Sequence, residues 1–237
     1  MQQQDLLVIE NLEKSFTMHV SRREIHACRG ISLHLAKGEF IGITGKSGSG
    51  KSTILKGIYR TNLPQKGRIL YDSEKFGMLD LCQASERQMI YLRKQEIGYV
   101  SQFLRIMPRT TARQIIEQAV LEMGADEDTA RRRAQHMLEH FELEPALWDM
   151  YPNTFSGGEK LRLNIAAAMV KKPRFLFCFG RREAPPASLD HTSKQKVRDL
   201  IEQLKLEGTT MLGIFHDLEF MEGLCDREYN MQKGMMA

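Results

Sequence analysis

The sequence has no long apolar run. Nowhere do eighteen apolar residues stand together, so no membrane-crossing helix is expected. Its first residues, MQQQDLLVIENLEKSF, lack a basic segment followed by an apolar one, so no secretory leader is expected either. Cysteine is sparse and scattered: Cys28, Cys82, Cys178 and Cys225 form no C-x-x-C pair. That excludes a disulfide framework and a zinc knuckle, and it suits a reduced, cytoplasmic protein. A strong excess of one charge is missing as well, since 34 Lys+Arg leave a net charge of only +4. Nucleic-acid binding would need that charge gathered on one surface. The densest cluster, Arg131-Arg132-Arg133, is interleaved with Glu127, Asp128 and Glu139. This reads as a solvated helix face, so no nucleic-acid partner and no direct membrane insertion are expected. Internal repeats and low-complexity tracts are absent too.

What is present is ordinary globular material, 42% hydrophobic and 27% charged, over 237 residues. That length suits one α/β domain, or a core with a smaller helical insert. LLVIENL (6–12) and ISLHL (31–35) read as strands, the second alternating apolar and polar residues. EFIGITG (39–45) is a continuous apolar run ending in glycine, as in a buried parallel strand, and KSTILKGIYR (51–60) follows at once as a helix. GRILYD leads into a less ordered region, after which EIGYVSQ (96–102) is another buried-strand candidate. From 112 to about 150 strand-like runs cease, and Ala130, Ala134, Met137 and Phe141 recur at helical spacing. SGGEKLRLNIAAAMVKK (156–172) predicts a helix N-capped by Ser156. The strand FLFCF, a helix closed by Gly208 and the strand TMLGIFH (210–216) complete the alternation, which predicts a largely parallel sheet.

Between the run at 39–45 and the helix at 51 lies Gly45-Lys46-Ser47-Gly48-Ser49-Gly50-Lys51-Ser52, a match to G-x-x-x-x-G-K-[ST]. Glycines let the backbone curl so that successive N–H groups point inward, forming a nest of partial positive charge for phosphate oxygens. The helix that starts there adds the positive end of its dipole. Lys51 can reach the β- and γ-phosphates, and the Ser52 hydroxyl is a hard oxygen ligand for Mg²⁺. A rival pattern, His136-Met137-Leu138-Glu139-His140, matches the zinc-peptidase form H-x-x-E-H. Both patterns are rare, and context separates them. The glycine loop lies between a buried strand and a helix, as its mechanism requires. The histidine pair lies on a charged helix with no third ligand in view, which reads as a solvated face.

Further elements follow the loop in order: Gln102 at a strand end, Phe155-Ser156-Gly157-Gly158-Glu159 opening a helix, Ser188-Leu189-Asp190, and His216 ending a strand. The ordered set resembles the nucleotide-binding domains of the ABC ATPase family and covers nearly the whole chain. The resemblance implies an α/β P-loop NTPase fold with a mainly parallel core sheet, antiparallel N-terminal strands and a helical subdomain. It implies one domain over 1–237, with core 1–102 and 159–237 and a helical insert at about 103–158. ATP and Mg²⁺ are the implied ligands. Phe16 would stack on adenine, the other reading of that residue being a core phenylalanine. Gly45, Ser47, Gly48, Ser49, Gly50, Lys51, Ser52 and Thr53 would cradle the phosphates. Ser52 and Gln102 would meet Mg²⁺, Gln102 also sensing the γ-phosphate. Ser156, Gly157, Gly158 and Glu159 would close over ATP held by a second ABC subunit, Asp190 would report across that interface, and His216 would hold the γ-phosphate.

The words between the motifs narrow the likeness. VSQFLRIMPR (100–109), NTFSGG (153–158) and GIFHD (213–217) resemble the PhnL-like ABC subunits of the phosphonate carbon–phosphorus lyase system. That resemblance implies support of the lyase machinery, with a second ABC subunit (self or a PhnK-like sister) and the lyase core subunits as partners. The motor subunit of a phosphonate or other importer is the alternative within the same fold.

One family element is missing. The strand FLFCF should end in an aspartate that holds Mg²⁺ and a glutamate that orients the attacking water. Instead it runs into Gly180-Arg181-Arg182-Glu183, and no aspartate appears before Asp190. Three readings stand side by side. The chain is an impaired ATPase that uses ATP binding as a clamp, or Glu183 serves as base from an unusual loop. Alternatively the reading frame is locally disturbed: a one-base shift across codons that can encode Phe179-Gly180-Arg181 reads leucine, aspartate, glutamate. Loss of the positioning group costs on the order of 10²–10⁴-fold in turnover, whereas nucleotide affinity, supplied by the loop and Lys51, survives.

Overall fold

The computed structural model describes residues 4–17, 24–100, 109–179, 191–214 and 223–236. Two sheets organise them. Long antiparallel strands β1 (Asp5–Thr17) and β2 (Glu24–Ala36) join β4 (Lys66–Ser73) and β5 (Gly77–Asp80) in the order β2-β1-β4-β5. The second sheet contains β3 (Phe40–Thr44), β6 (Ile97–Val100), β7 (Phe175–Phe179), β8 (Thr210–Ile214), β9 (Arg227–Gln232) and β10 (Met235–Met236), ordered β10-β9-β3-β8-β7-β6. Its pairings are parallel except the terminal β9–β10 hairpin. The expected α/β fold with antiparallel N-terminal strands and a mainly parallel core is therefore present.

The parallel strands are apolar throughout because both faces are covered. Phe175 and Phe177 point into one core with Ile41, Ile43, Leu212 and Ile214, which packs against the antiparallel sheet, α1 (Lys51–Ile58) and α2 (Glu86–Gln95). Leu176, Phe40 and Met211 point the other way, into a second core shared with α3 (Ala112–Leu121), α4 (Glu127–His140), α5 (Gly157–Met169) and α6 (His191–Leu206). The period-2 alternation of strand side chains thus feeds two cores from one sheet. Within the second core, α3 and α4 pack as a helical pair, closed at its base by the buried Trp148, whose indole N–H donates to the Leu143 carbonyl at 2.8 Å.

The stretch after β4, read from the sequence as less ordered, instead folds into β5 and α2. Leu79 on β5 pairs with Tyr71, and α2 opens with a full capping box between Ser85 and Gln88. β5 is only four residues long and α2 carries few apolar residues, so neither shows strong periodicity. Helix α5 starts at Gly157 and so runs across the 158/159 boundary. No helix among the described residues is long and apolar enough to cross a membrane.

Candidate nucleotide-binding site

The carboxyl ends of four adjacent parallel strands, β3, β8, β7 and β6, finish at one edge of the sheet, with Ile43, Ile214 and Phe179 in register. Ligands of open α/β sheets bind at such an edge. The glycine loop leaves β3 there and enters α1. Gln102 and His216 lie two residues beyond the last residues of β6 and β8. Gln102, Glu183, Asp190 and His216 themselves lie outside the described residues.

Neighbouring strands fix the loop's shape. Gly45 has φ +129, and a Cβ there would lie 2.2 Å from the Met231 carbonyl oxygen. Gly50 has φ +106, and its Cβ would lie 1.9 Å from the Ala27 carbonyl oxygen. Both glycines are therefore pressed against the backbone of a neighbouring strand. The Ala27 contact arises from a register shift: Lys14 pairs with Cys28 and Ser15 with His26, which leaves Ala27 unopposed on β2. From the other side, the Gly234 N–H donates to the Ser49 carbonyl at 3.1 Å. Gly48, at φ +78, has nothing within 4 Å of its Cβ position, and Ser47 and Gly48 are exposed at the loop's mouth. Ala27, Met231 and Gly234 are supports that the sequence reading missed, because they reach the loop from distant strands and carry no local signal.

Lys51 is 4% exposed and its ammonium turns back into the loop, donating to the carbonyls of Gly45 at 2.5 Å and Lys46 at 3.0 Å. Ser52 is exposed, and Thr53 donates its N–H to the Gly50 carbonyl at 2.8 Å. Among the α-helices whose starts are described, only α1 has no side-chain cap, and its first turn carries no acid. The positive end of its dipole thus meets the glycine loop beside a buried cation. That donor set fits a polyphosphate, and the Ser52 hydroxyl adds a hard oxygen suited to Mg²⁺.

Phe16, far along β1, is 38% exposed and faces Ile25 of β2, itself 45% exposed. It is therefore not a core phenylalanine. Ile25 lies two residues before Ala27, the residue that touches Gly50, so the exposed pair sits roughly 7 Å along β2 from the loop's support.

Ser156 caps α5 as expected, within a capping box. The Ser156 N–H donates to Glu159 Oε2 at 2.7 Å, and the Glu159 N–H donates to Ser156 Oγ at 3.3 Å. Ser156 and Gly157 are exposed and Gly158 is buried. The Glu159 carboxylate is thus engaged by its own helix, leaving the Ser156 hydroxyl proton and the helix dipole for a ligand. Of the histidine pair, His136 is exposed, as on a solvated face, and His140 is partly buried. His136 and His140 stack with centroids 6.1 Å apart, and His140 meets Gln203 of α6 at 3.1 Å. Among the described residues no group of three or more His, Cys, Asp or Glu could hold a metal ion.

Comparisons with known proteins agree with this geometry. Residues 28–178 match the model of the family described as ABC transporter. An ABC transporter ATP-binding protein of Thermotoga maritima is 32% identical over 85% of this chain and 82% of its own length. The lipoprotein-releasing system ATP-binding protein LolD of Aquifex aeolicus is 30% identical over 98% of this chain and 96% of its own. Among solved structures, the dimeric ATP-binding cassette MJ0796 in a post-hydrolysis state, bound to ADP and phosphate, superposes with a TM-score of 0.83. Its identity is 26%, over 97% of this chain and 96% of that one.

Proposed function

The chain belongs to the ABC transporter family, and from that premise we propose a Mg-ATP-binding subunit that works as a dimer. In this reading the loop at 45–52 of one subunit and the Ser156–Glu159 helix start of another close on one nucleotide. The observation that carries it is the wedged loop: Gly45 and Gly50 locked against Met231 and Ala27, with Lys51 buried between loop carbonyls. A rigid nest of this kind binds phosphate without first having to order itself. Ser47, Gly48, Ser49 and Thr53 complete the cradle. Phe16 stacks on adenine, Ser52 and Gln102 hold Mg²⁺, His216 holds the γ-phosphate, and Asp190 reports across the dimer. Mg²⁺ supplies charge neutralisation on the phosphates. Core segments 1–102 and 159–237 and the insert at about 103–158 act as one unit.

For the partner we propose the phosphonate carbon–phosphorus lyase machinery in the cytoplasm, with self or a PhnK-like sister as the second ABC subunit. The words VSQFLRIMPR, NTFSGG and GIFHD support this reading. A second reading, the ATP-binding subunit of a membrane transporter, is favoured by the likeness to LolD. A pulldown separates them: co-purified soluble lyase subunits support the first, and a membrane permease supports the second. For turnover, Gly180-Arg181-Arg182 in place of an acid pair supports a slow ATPase or a clamp. Nucleotide binding measured beside single-turnover hydrolysis, with Lys51→Ala as control, tests both. Hydrolysis at ordinary ABC rates rules out the clamp, and absence of any ATP affinity under saturating magnesium overturns the whole reading.

A further inference from the structure

From the surroundings of Phe16 we infer that Lys14 is a positioning residue for the base platform, covering one face of the Phe16 ring so that a purine stacks on the other. The inference rests on the nucleotide-binding reading above and adds to it how the base is seated. The Lys14 ammonium lies over the Phe16 ring, 5.3 Å from its centroid, and the same ammonium donates to the Leu63 carbonyl at 2.7 Å. A lysine head held at two points is a fixed object rather than a solvated chain end. It removes rotamers from the phenyl ring, and an ordered ring loses less entropy when a base stacks on it. Ile25, opposite Phe16 in the ladder and 45% exposed, extends the apolar floor.

The anchor of this lysine connects the two halves of the site. Leu63 belongs to the segment that leaves α1, the helix whose start forms the phosphate cradle. That segment is tied to β1 by three further bonds. The Ser15 N–H donates to Gln65 Oε1 at 2.6 Å, Gln65 Nε2 donates to the Ser15 carbonyl at 3.3 Å, and the Gln65 N–H donates to the Glu13 carbonyl at 2.8 Å. The base platform is thus joined to both ends of the phosphate helix: to its exit through Leu63 and Gln65, and to its entry through Ala27 and Gly50.

The test compares ATP with inorganic tripolyphosphate on the full chain, because only ATP uses the platform. Wild type should bind ATP more tightly than tripolyphosphate. Lys14→Met keeps the aliphatic stem and removes the charge. It should raise the Kd for ATP about 2–5-fold, leave the tripolyphosphate Kd unchanged, and reduce the quenching of an etheno-adenine analogue. Lys14→Arg should restore the ATP value, and adding Lys14→Met to Phe16→Ala should cost nothing more. An unchanged ATP Kd in Lys14→Met overturns the inference. So does a parallel shift in both ligands, which would mark general loosening of β1. Equal wild-type affinity for the two ligands also overturns it while leaving the cradle intact, whereas failure to bind either one overturns the underlying nucleotide reading.

Discussion

Replacing Gly50 by alanine isolates what the loop's wedged backbone contributes. A Cβ there would lie 1.9 Å from the Ala27 carbonyl oxygen, 2.9 Å from its carbon and 2.8 Å from Met231 Cε. The methionine tip can move aside, but the Ala27 carbonyl is backbone and cannot. Two costs add: an L-residue forced to φ near +106, at about 1–3 kcal/mol, and steric overpacking, at about 1–3 kcal/mol. Alanine narrows the unfolded ensemble and returns about 0.4–1 kcal/mol, so the net loss centres on about 3 kcal/mol. Gly48 is the internal control, because its φ of +78 is strained for alanine but its Cβ would meet nothing within 4 Å. Strain alone costs about 1–2 kcal/mol, again partly returned. Urea unfolding followed by Trp148, the single tryptophan and 8% exposed, should therefore show Gly50→Ala falling well before Gly48→Ala. With a slope of about 2–3 kcal/mol/M, the gap is of order 1 M in midpoint. Nucleotide binding should separate the pair differently: Gly48→Ala stays folded yet weakens ATP binding, since its methyl occupies the mouth of the cradle. Equal midpoints for the two variants would refute the argument that neighbouring backbones set the loop's shape.

Lys51→Ala should lower ATP affinity by roughly 10–150-fold by calorimetry, the equivalent of one charge-assisted contact, with the fold retained by circular dichroism. Glu159→Ala removes the N3 half of the α5 capping box and should cost about 0.3–1.5 kcal/mol in urea unfolding, with glutamine recovering most of it. Burial raises the Asp226 pKa, but the hydrogen bonds from Lys205 and the Phe40 N–H outweigh it and hold the carboxyl below its usual range. A carboxylate depressed in the folded state stabilises above its unfolded pKa, about 3.9, and that contribution fades as pH falls through the lower folded value. Between pH 5 and 3, Asp226→Asn should thus show a shallower loss of urea midpoint than wild type, and parallel curves would refute the pairing.

The fold was legible wherever local pattern and tertiary role coincide. FIGIT read as a buried parallel strand, and FLFCF as a strand, because a continuous apolar run suits an element covered on both faces. Ser156 read as a helix cap because its capping box lies wholly within four consecutive residues. Gly45 and Gly50 were readable from motif spacing, but what holds them was not. The unopposed Ala27 depends on how β1 and β2 pair, and the Met231 carbonyl comes from a strand more than 180 residues away. α2 was missed for a related reason: Met89 and Leu92 are its only buried residues, too few to announce a period. Lys14 lay beyond pattern reasoning altogether, since its two contacts exist only after β1 and the exit of α1 come together.

The sheet order also explains how a grip can persist where the acid pair is missing. The cradle is assembled from β2, β3 and the β9–β10 hairpin, through Ala27, Gly45, Met231 and Gly234. Water activation in this fold family is expected from the end of β7, which is separated from β3 by β8. Two strand spacings are roughly 10 Å, and the described contacts that hold the loop come from β2 and from the β9–β10 hairpin, on the side of β3 away from β7. If the acid pair of this fold family works from the end of β7, the sequence at 180–182 should weigh on turnover more than on the described contacts of the loop. The expected outcome is ATP affinity close to family values beside depressed single-turnover hydrolysis, and equal loss of both would refute a separation of binding from turnover.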